Sequence, residues 1–103
     1  MKGATNSFNV FMEETGGTGK AYMNMVMQQA KSSALDEKVR ELAYIAVLSA
    51  IRMTGGLNLH VKNAKKLGAS RDEVKSAVIV GLPAVGITVI DSLEIALNAY
   101  DEI

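Results

Sequence analysis

Apolar residues recur every three or four positions through most of the chain, which is the spacing that gathers side chains on one face of an α-helix. The clearest apolar stripe consists of Leu57, Val61, Ala64 and Leu67. Gly68 follows at the position where helices commonly end. Ser70, with Glu73 three residues later, has the spacing of a capping box. These signals predict one helix that ends before Gly68 and another that begins after Ser70.

The same periodicity predicts four more helices. The first covers residues 7–14, and the second begins with Thr18 as its cap. The third covers residues 36–53. The last covers residues 84–100, because the helix before it should end ahead of Pro83. The apolar face of the last helix is predicted to consist of Gly86, Ile90, Leu93, Leu97 and Tyr100. Six helices without a strand predict an all-α, single-domain bundle over residues 1–103.

The third predicted helix contains the run "LAYIAVLSAI", which is apolar on nearly every side. A helix with this pattern is buried in the middle of a domain or between subunits. Two very apolar helices in so short a chain expose more apolar surface than one small core can bury. We therefore expect the chain to associate with identical copies of itself.

Charge and cysteine content narrow the possible partners. The eleven basic and eleven acidic residues balance to a formal charge of zero, which favours neither nucleic acid nor an anionic membrane. Without cysteine the chain has no disulfide and no thiol nucleophile. The longest uncharged stretch, residues 76–90, is shorter than the roughly 20 residues that span a bilayer. The N-terminus shows no apolar segment of the secretory type. We expect a cytoplasmic protein without a membrane partner.

Two patterns that would bind a cofactor are incomplete. The stretch "TGGTGKA" resembles a phosphate-binding loop, but Glu14 stands at its first glycine position and Ala21 at its hydroxyl position. A turn between two helices is the better interpretation. A single histidine without cysteine leaves only carboxylates as further metal ligands, and the sequence shows no His/carboxylate cluster. We predict neither a metal nor another cofactor.

Glu41 and His60 are the candidate catalytic residues. Glu41 precedes the apolar run of the third helix, and His60 lies at the margin of the stripe on the fourth. Gly56 and Ala64, one turn to either side of His60, leave room beside the ring. A carboxylate bonded to an imidazole selects its tautomer and prepares it for acid–base catalysis. A structural interpretation is also open, with Glu41 at a helix N-terminus and His60 bonded to backbone.

The stretches "LDEKVRELAYIAVLSAIR", "HVKNAKKLGASRDEVKSAV" and "VGLPA" occur in the order and spacing found in a known family. They resemble the carboxymuconolactone decarboxylase family, which includes the alkyl hydroperoxidase D-like proteins. The resemblance covers about residues 19–99. It implies an all-α fold and a homo-oligomer, commonly a trimer or hexamer, which agrees with the surplus of apolar surface.

The family's peroxidase branch uses a glutamate and a Cys-x-x-Cys-x-x-x-His motif. Glu41 and His60 match the glutamate and the histidine, whereas the two cysteine positions are Met53 and Gly56 here. Peroxide reduction by such a pair requires a thiolate and a second thiol. A peroxidase activity of this chain would therefore need thiols from a partner.

The decarboxylase branch keeps the histidine without the cysteines and is the closer chemical model. The resemblance implies a small carboxylated lactone as substrate, with His60 as acid or oxyanion donor and Glu41 as the group that orients it. Arg52 or Lys62 would pair with the substrate carboxylate, and Gly56 would leave room for the substrate. The alternative is a non-catalytic oligomeric binding or scaffold protein that has the same fold.

Overall fold

The structure is a computed structural model that describes residues 4–102, and every regular element within that range is helical. The prediction of an all-α protein is confirmed. The helices form two compact units, one up to residue 36 and the other from residue 37 onward. The single domain expected over residues 1–103 stays a prediction.

The N-terminal unit is a pair of helices, α1 (Asn6–Glu14) and α2 (Gly17–Ser32). The Tyr22 ring of α2 meets the rings of Phe8 and Phe11 edge-on, with centroids 6.4 and 5.7 Å apart. Edge-to-face contacts of this kind are a favoured arrangement of aromatic rings. The aromatic residues of the two helices therefore hold the pair together.

The turn between α1 and α2 depends on glycine. Gly16 has a φ of 54°, and α2 begins directly after it at Gly17 without a side-chain cap. The prediction that Thr18 caps this helix is therefore wrong, while the predicted helix-to-helix turn is confirmed. Gly19 allows α2 to approach the end of α1 closely, since a Cβ there would lie 2.9 Å from the Thr15 hydroxyl oxygen.

The C-terminal unit contains the remaining helices of the described chain. They are α3 (Glu37–Ala50), α4 (Leu57–Lys66), α5 (Arg71–Ile79), α6 (Leu82–Val85) and α7 (Ile90–Asp101). Two short 3₁₀ turns, Thr54–Gly56 and Gly86–Val89, precede α4 and α7. The longer helices α3, α4, α5 and α7 pack on one another, whereas α6 is a single turn.

The core of this unit is built from apolar positions on those four helices and the α4–α5 junction. Its buried side chains are Ile45, Leu48, Leu57, Val61, Ala64, Ala69, Val74, Val78, Ala96 and Ala99. The stripe predicted on α4 is confirmed for its first three members. Leu67 is 38% exposed, because it is the C-cap residue at which the chain leaves the helix.

The prediction of a continuous last helix over residues 84–100 is wrong at its start. Gly86 has a φ of 78°, a conformation that interrupts an α-helix, and the 3₁₀ turn that begins at this residue leads into α7. The buried face of α7 also differs from the predicted one. It consists of Ser92, Ala96 and Ala99.

The junction between α4 and α5 has the predicted structure. Gly68 has a φ of 96°, and the Ala69 N–H donates to the Ala64 carbonyl at 2.9 Å, as in a Schellman helix end. The Ser70 N–H donates to the Glu73 carboxylate at 2.8 Å, and the Glu73 N–H donates to the Ser70 hydroxyl at 3.0 Å. The glycine helix end and the capping box are both confirmed.

Two exposed carboxylates of this unit make its stability depend on pH. Hydrogen bonds from Arg71 hold the pKa of the Asp101 carboxyl below its usual range. The backbone N–H of Ser70, followed by the Lys38 ammonium, lowers the pKa of Glu73. A carboxyl with a lowered pKa in the folded state stabilises the protein above the unfolded-chain pKa of about 4. That contribution is lost as the pH falls through the lower, folded pKa.

We therefore expect the free energy of unfolding to decline below about pH 4, and to decline less in an Asp101→Asn variant. The variant lacks one of the carboxyl groups whose protonation opposes folding. Urea unfolding of both proteins between about pH 7 and pH 3 measures the effect. A stability difference between them that stays constant over this range would contradict the expectation.

Many large apolar side chains of the C-terminal unit are exposed. The most exposed are Val47, Ile51, Met53, Val80, Ile87 and Ile90. By length and composition alone, the helical run Arg71–Asp101 is long and apolar enough to cross a membrane, which is weak evidence for a span. That run is broken between α5 and α7. This exposed apolar surface is what the predicted self-association would have to cover.

Candidate functional site

Helices α3 and α4 bring Glu41 and His60 together across 19 positions of sequence. The two helices run antiparallel, with Leu48 beside Gly56 at one end of the interface and Glu41 beside His60 further along. The interface is apolar between and beside these points and contributes to the core. The helical periodicity of both segments therefore places the two polar side chains at the edge of one interface.

The Glu41 Oε2 atom lies 2.7 Å from His60 Nδ1, which is hydrogen-bond distance. The side chains are 16% and 23% exposed, so the bond is partly shielded from water. An ionised carboxylate only accepts hydrogen bonds, and we therefore assign a proton to Nδ1. In the neutral ring this leaves the lone pair on Nε2. The structure thus brings together the two predicted catalytic residues in an arrangement suited to proton exchange at Nε2.

Tyr44 belongs to the same site and was missed by sequence reasoning. Its ring stacks on the His60 imidazole with a centroid distance of 4.2 Å and an angle of 28° between the planes. The signal that could have found it is its spacing, since residues three apart on a helix share a face, and Tyr44 stands three positions after Glu41. Helix α3 therefore contacts the imidazole twice, once through each of these residues.

The two small residues flanking His60 differ in what they contribute. A Cβ at Gly56 would lie 3.2 Å from Leu48 Cδ1, which is a tight contact, and 3.9 Å from His60 Cδ2, which is an ordinary one, so the glycine chiefly gives room to Leu48. Ala64 is fully buried in the core. Gly56 places no side chain beside the Cδ2 edge of the ring, whereas the room expected on the Ala64 side stays a prediction.

Arg52 and Lys62, the predicted carboxylate-binding residues, each form an ion pair with a carboxylate. Arg52 lies 3.1 Å from Asp91, and Lys62 lies 3.1 Å from Glu102. These side chains are exposed or nearly so, and pairs of that kind stabilise a protein by at most about 1 kcal/mol. A ligand carboxylate could therefore compete for either cation. Their role in substrate binding stays a prediction.

The C-terminal end of α3 closes in the same way as that of α4. The Met53 N–H donates to the Leu48 carbonyl at 2.9 Å, and the Arg52 N–H donates to the Ser49 carbonyl at 3.4 Å. The left-handed position of this Schellman end is occupied by Gly68 in α4 and by Arg52, with a φ of 62°, in α3. A left-handed conformation costs an L-residue about 1–2 kcal/mol, so Arg52 is strained where Gly68 is not.

Replacing Arg52 with glycine is expected to raise the free energy of unfolding by about 0.5–1 kcal/mol. Glycine removes the strain, and the lost pair with Asp91 is exposed on both sides. Urea unfolding measures the difference. The matched control is Gly68→Ala at the equivalent position of α4, which should lower stability by a similar amount. Destabilisation by Arg52→Gly would show that the arginine contributes more than its conformation costs.

An open, mostly apolar groove of about 440 Å³ lies between α3 and α5. It is lined by Val39, Leu42, Ala43, Ala46, Glu73, Ser76, Ala77 and Val80. The four α3 residues of this lining share one face of the helix, and Glu41 and Tyr44 lie on another. The groove and the His60 site therefore occupy different faces of α3. Within residues 4–102, no cluster of three or more His, Cys, Asp or Glu side chains is placed to hold a metal ion.

The fold and this site define an all-α protein with a glutamate–histidine pair between two antiparallel helices. The model of the carboxymuconolactone decarboxylase family matches residues 17–98, and the chain belongs to that family. This confirms the resemblance noted in the sequence. No curated protein and no solved structure matches the chain.

Proposed function

We propose that the protein is a thiol-independent lyase that decarboxylates a small carboxylated lactone, with His60 and Glu41 at the reaction centre. The observation that supports this most directly is the 2.7 Å contact between Glu41 Oε2 and His60 Nδ1. Membership of the carboxymuconolactone decarboxylase family supports the same chemistry. The chain itself supplies no thiol, because it contains no cysteine.

In the proposed reaction, the bond between the substrate carboxylate and the ring carbon breaks and carbon dioxide leaves. The electron pair of that bond moves into the conjugated lactone as a dienolate, whose negative charge lies on the carbonyl oxygen. The doubly protonated His60 ring then donates its Nε2 proton to carbon. Glu41 keeps Nδ1 protonated throughout and orients the ring. A proton from water restores the ring for the next cycle.

The substrate carboxylate requires a cation, and Arg52 or Lys62 is proposed for this part. Both already pair with carboxylates at 3.1 Å, so the geometry of carboxylate recognition is available to each. Gly56 is proposed to leave space for the substrate beside the Cδ2 edge of the imidazole. The exposed apolar residues of the C-terminal unit support self-association, and we propose a homo-oligomer, a trimer or hexamer, in the cytoplasm.

The direct experiment is an assay of the purified protein against carboxylated unsaturated lactones, measured as carbon dioxide release. Wild type should turn over at least one of them, and a His60→Ala variant should be slower by about 10²- to 10⁴-fold. An Asn58→Ala variant on the same helix serves as the control and should retain activity. Equal turnover by wild type and His60→Ala, or none by either, would remove the proposal.

A non-catalytic binding protein is the second candidate. It is favoured by the positions that carry cysteines in the peroxidase branch, which are Met53 and Gly56 here. The NMR signals of the single histidine distinguish the two candidates when small carboxylates are added. Broadening or displacement of the His60 signals supports a working site, and signals indifferent to every carboxylate support a scaffold.

A further inference from the structure

Two side chains of one helix contact the His60 imidazole from different directions. Glu41 bonds the Nδ1 edge at 2.7 Å, and Tyr44 covers one face at a centroid distance of 4.2 Å. A hydrogen bond alone leaves a ring free to turn about the bond axis, because the bond defines a point and a direction but not a plane. A stacked aromatic ring defines the plane. Together the two contacts define both the direction of Nδ1 and the plane of the imidazole.

We propose that Tyr44 is a positioning residue of this site, whose ring holds the imidazole plane so that Nδ1 stays on Glu41 and Nε2 stays directed toward a ligand. This rests on the proposed acid–base role of His60. Tyr44 acts through His60 and needs no contact with the substrate. Its effect is to keep the ring in the tautomer and orientation from which Nε2 exchanges a proton.

Tyr44 is not among the buried core residues of α3. Ile45 and Leu48 supply the buried side chains of the helix at this interface, whereas Tyr44 is 44% exposed. A half-exposed aromatic ring contributes less to the core than its fully buried neighbours do. Its ring stacks on the imidazole. The position therefore fits a residue that orients His60.

The arrangement also determines from which side a ligand can approach. Glu41 occupies the Nδ1 edge, Tyr44 occupies one face, and Gly56 places no side chain beside Cδ2. A ligand that exchanges a proton with the ring has to reach Nε2, because Nδ1 is bonded to Glu41. A planar substrate that presents its reacting carbon to Nε2 meets these limits. A ring free to rotate would present Nε2 in that direction only part of the time.

Two substitutions separate positioning from packing. Tyr44→Phe keeps the stacked ring and should behave as wild type. Tyr44→Leu removes the ring and keeps apolar volume, and Tyr44→Met provides a second such variant if the leucine variant does not fold. Tyr22→Leu, at a tyrosine of the N-terminal unit that contacts Phe8 and Phe11, is the matched control. Circular dichroism establishes which variants are folded.

The first measurement needs no substrate. Because the chain has a single histidine, the ¹⁵N signals of labelled protein report the His60 tautomer without ambiguity. At alkaline pH, wild type, Tyr44→Phe and Tyr22→Leu should all show the Nδ1-protonated form, with ring protons displaced upfield by the tyrosine or phenylalanine stacked at position 44. Tyr44→Leu should show a mixture of tautomers and lose the upfield displacement. Wild-type tautomer signals in folded Tyr44→Leu or folded Tyr44→Met would overturn the proposal.

The second measurement is turnover of the carboxylated lactone. Tyr44→Leu should lower kcat by about tenfold to a hundredfold with little change in KM, since a misdirected ring affects the proton transfer and leaves binding intact. Tyr44→Phe should keep kcat. Loss of kcat in both variants would overturn positioning by the ring. If wild type turns over no lactone, the proposed function fails, and the tautomer measurement still decides the role of Tyr44.

Discussion

Replacing Glu41 with glutamine is expected to lower the turnover of a carboxylated lactone by about 10²- to 10⁴-fold. Glutamine keeps the size of the side chain and removes its negative charge. The carboxylate now 2.7 Å from Nδ1 both selects the ring tautomer and stabilises the ring when it carries a second proton. An amide supports the first role weakly and the second hardly at all. Carbon dioxide release at saturating substrate measures the loss.

The control for this substitution is Glu94→Gln, at an exposed glutamate on α7. It removes the same charge away from the histidine and should leave turnover unchanged. A double variant provides a stricter test. If Glu41 acts through His60, then Glu41→Gln combined with His60→Gln should be little slower than His60→Gln alone. Two losses that simply multiply would mean that the residues act independently and that the pair is not a catalytic unit.

The pairing itself could be predicted from sequence because it follows from helical geometry. The apolar run after Glu41 and the stripe beside His60 each indicate which face of a helix is buried, and both polar residues stand at the margins of those faces. Once α3 and α4 pack through those faces, the margins meet. The spacing of Tyr44 from Glu41 places both on one face of α3, but an aromatic residue in an apolar run is expected to be core, so the spacing alone does not assign it to the site. Only the structure shows that its ring contacts the imidazole.

The strained C-terminal end of α3 is a second feature that residue types do not predict. Gly68 predicts a left-handed helix end, because glycine is the residue that adopts the left-handed conformation most readily. Arg52 adopts the same conformation with no such signal in its residue type, and the third helix was predicted to continue to residue 53 when it ends at Ala50. Hydrogen bonds from Arg52 and Met53 back to the helix impose the conformation, and a pattern of residue types does not contain them.

The buried face of α7 was predicted one position away from its actual place. The large apolar residues Ile90, Leu93 and Leu97 have helical spacing, and their size made them the expected core face. The buried face instead consists of Ser92, Ala96 and Ala99. Small side chains let α7 approach the other helices closely, and the larger residues then lie along the border of the contact. Spacing alone does not distinguish these two faces, because both repeat at three and four positions.

The second large effect is expected on stability, where two leucines of the same size differ in burial. Leu57 and Leu67 stand on one predicted stripe of one helix, yet Leu57 is fully buried and Leu67 is 38% exposed. Leu57→Ala should lower the free energy of unfolding by about 2–5 kcal/mol, because it removes buried methyl groups and leaves a cavity at the start of α4. Leu67→Ala makes the same chemical change at the C-cap and should cost less than about 1 kcal/mol.

Urea unfolding of both variants measures the two losses under identical conditions. The N-terminal end of α4 also carries the turn with Gly56 and, one turn further on, His60. A cavity at Leu57 therefore loosens the support of the ring, and the His60 ¹⁵N signals of Leu57→Ala should broaden while those of Leu67→Ala stay sharp. Equal losses of stability in the two variants would mean that the stripe is buried along its whole length, for instance because Leu67 is covered when the chain associates with copies of itself.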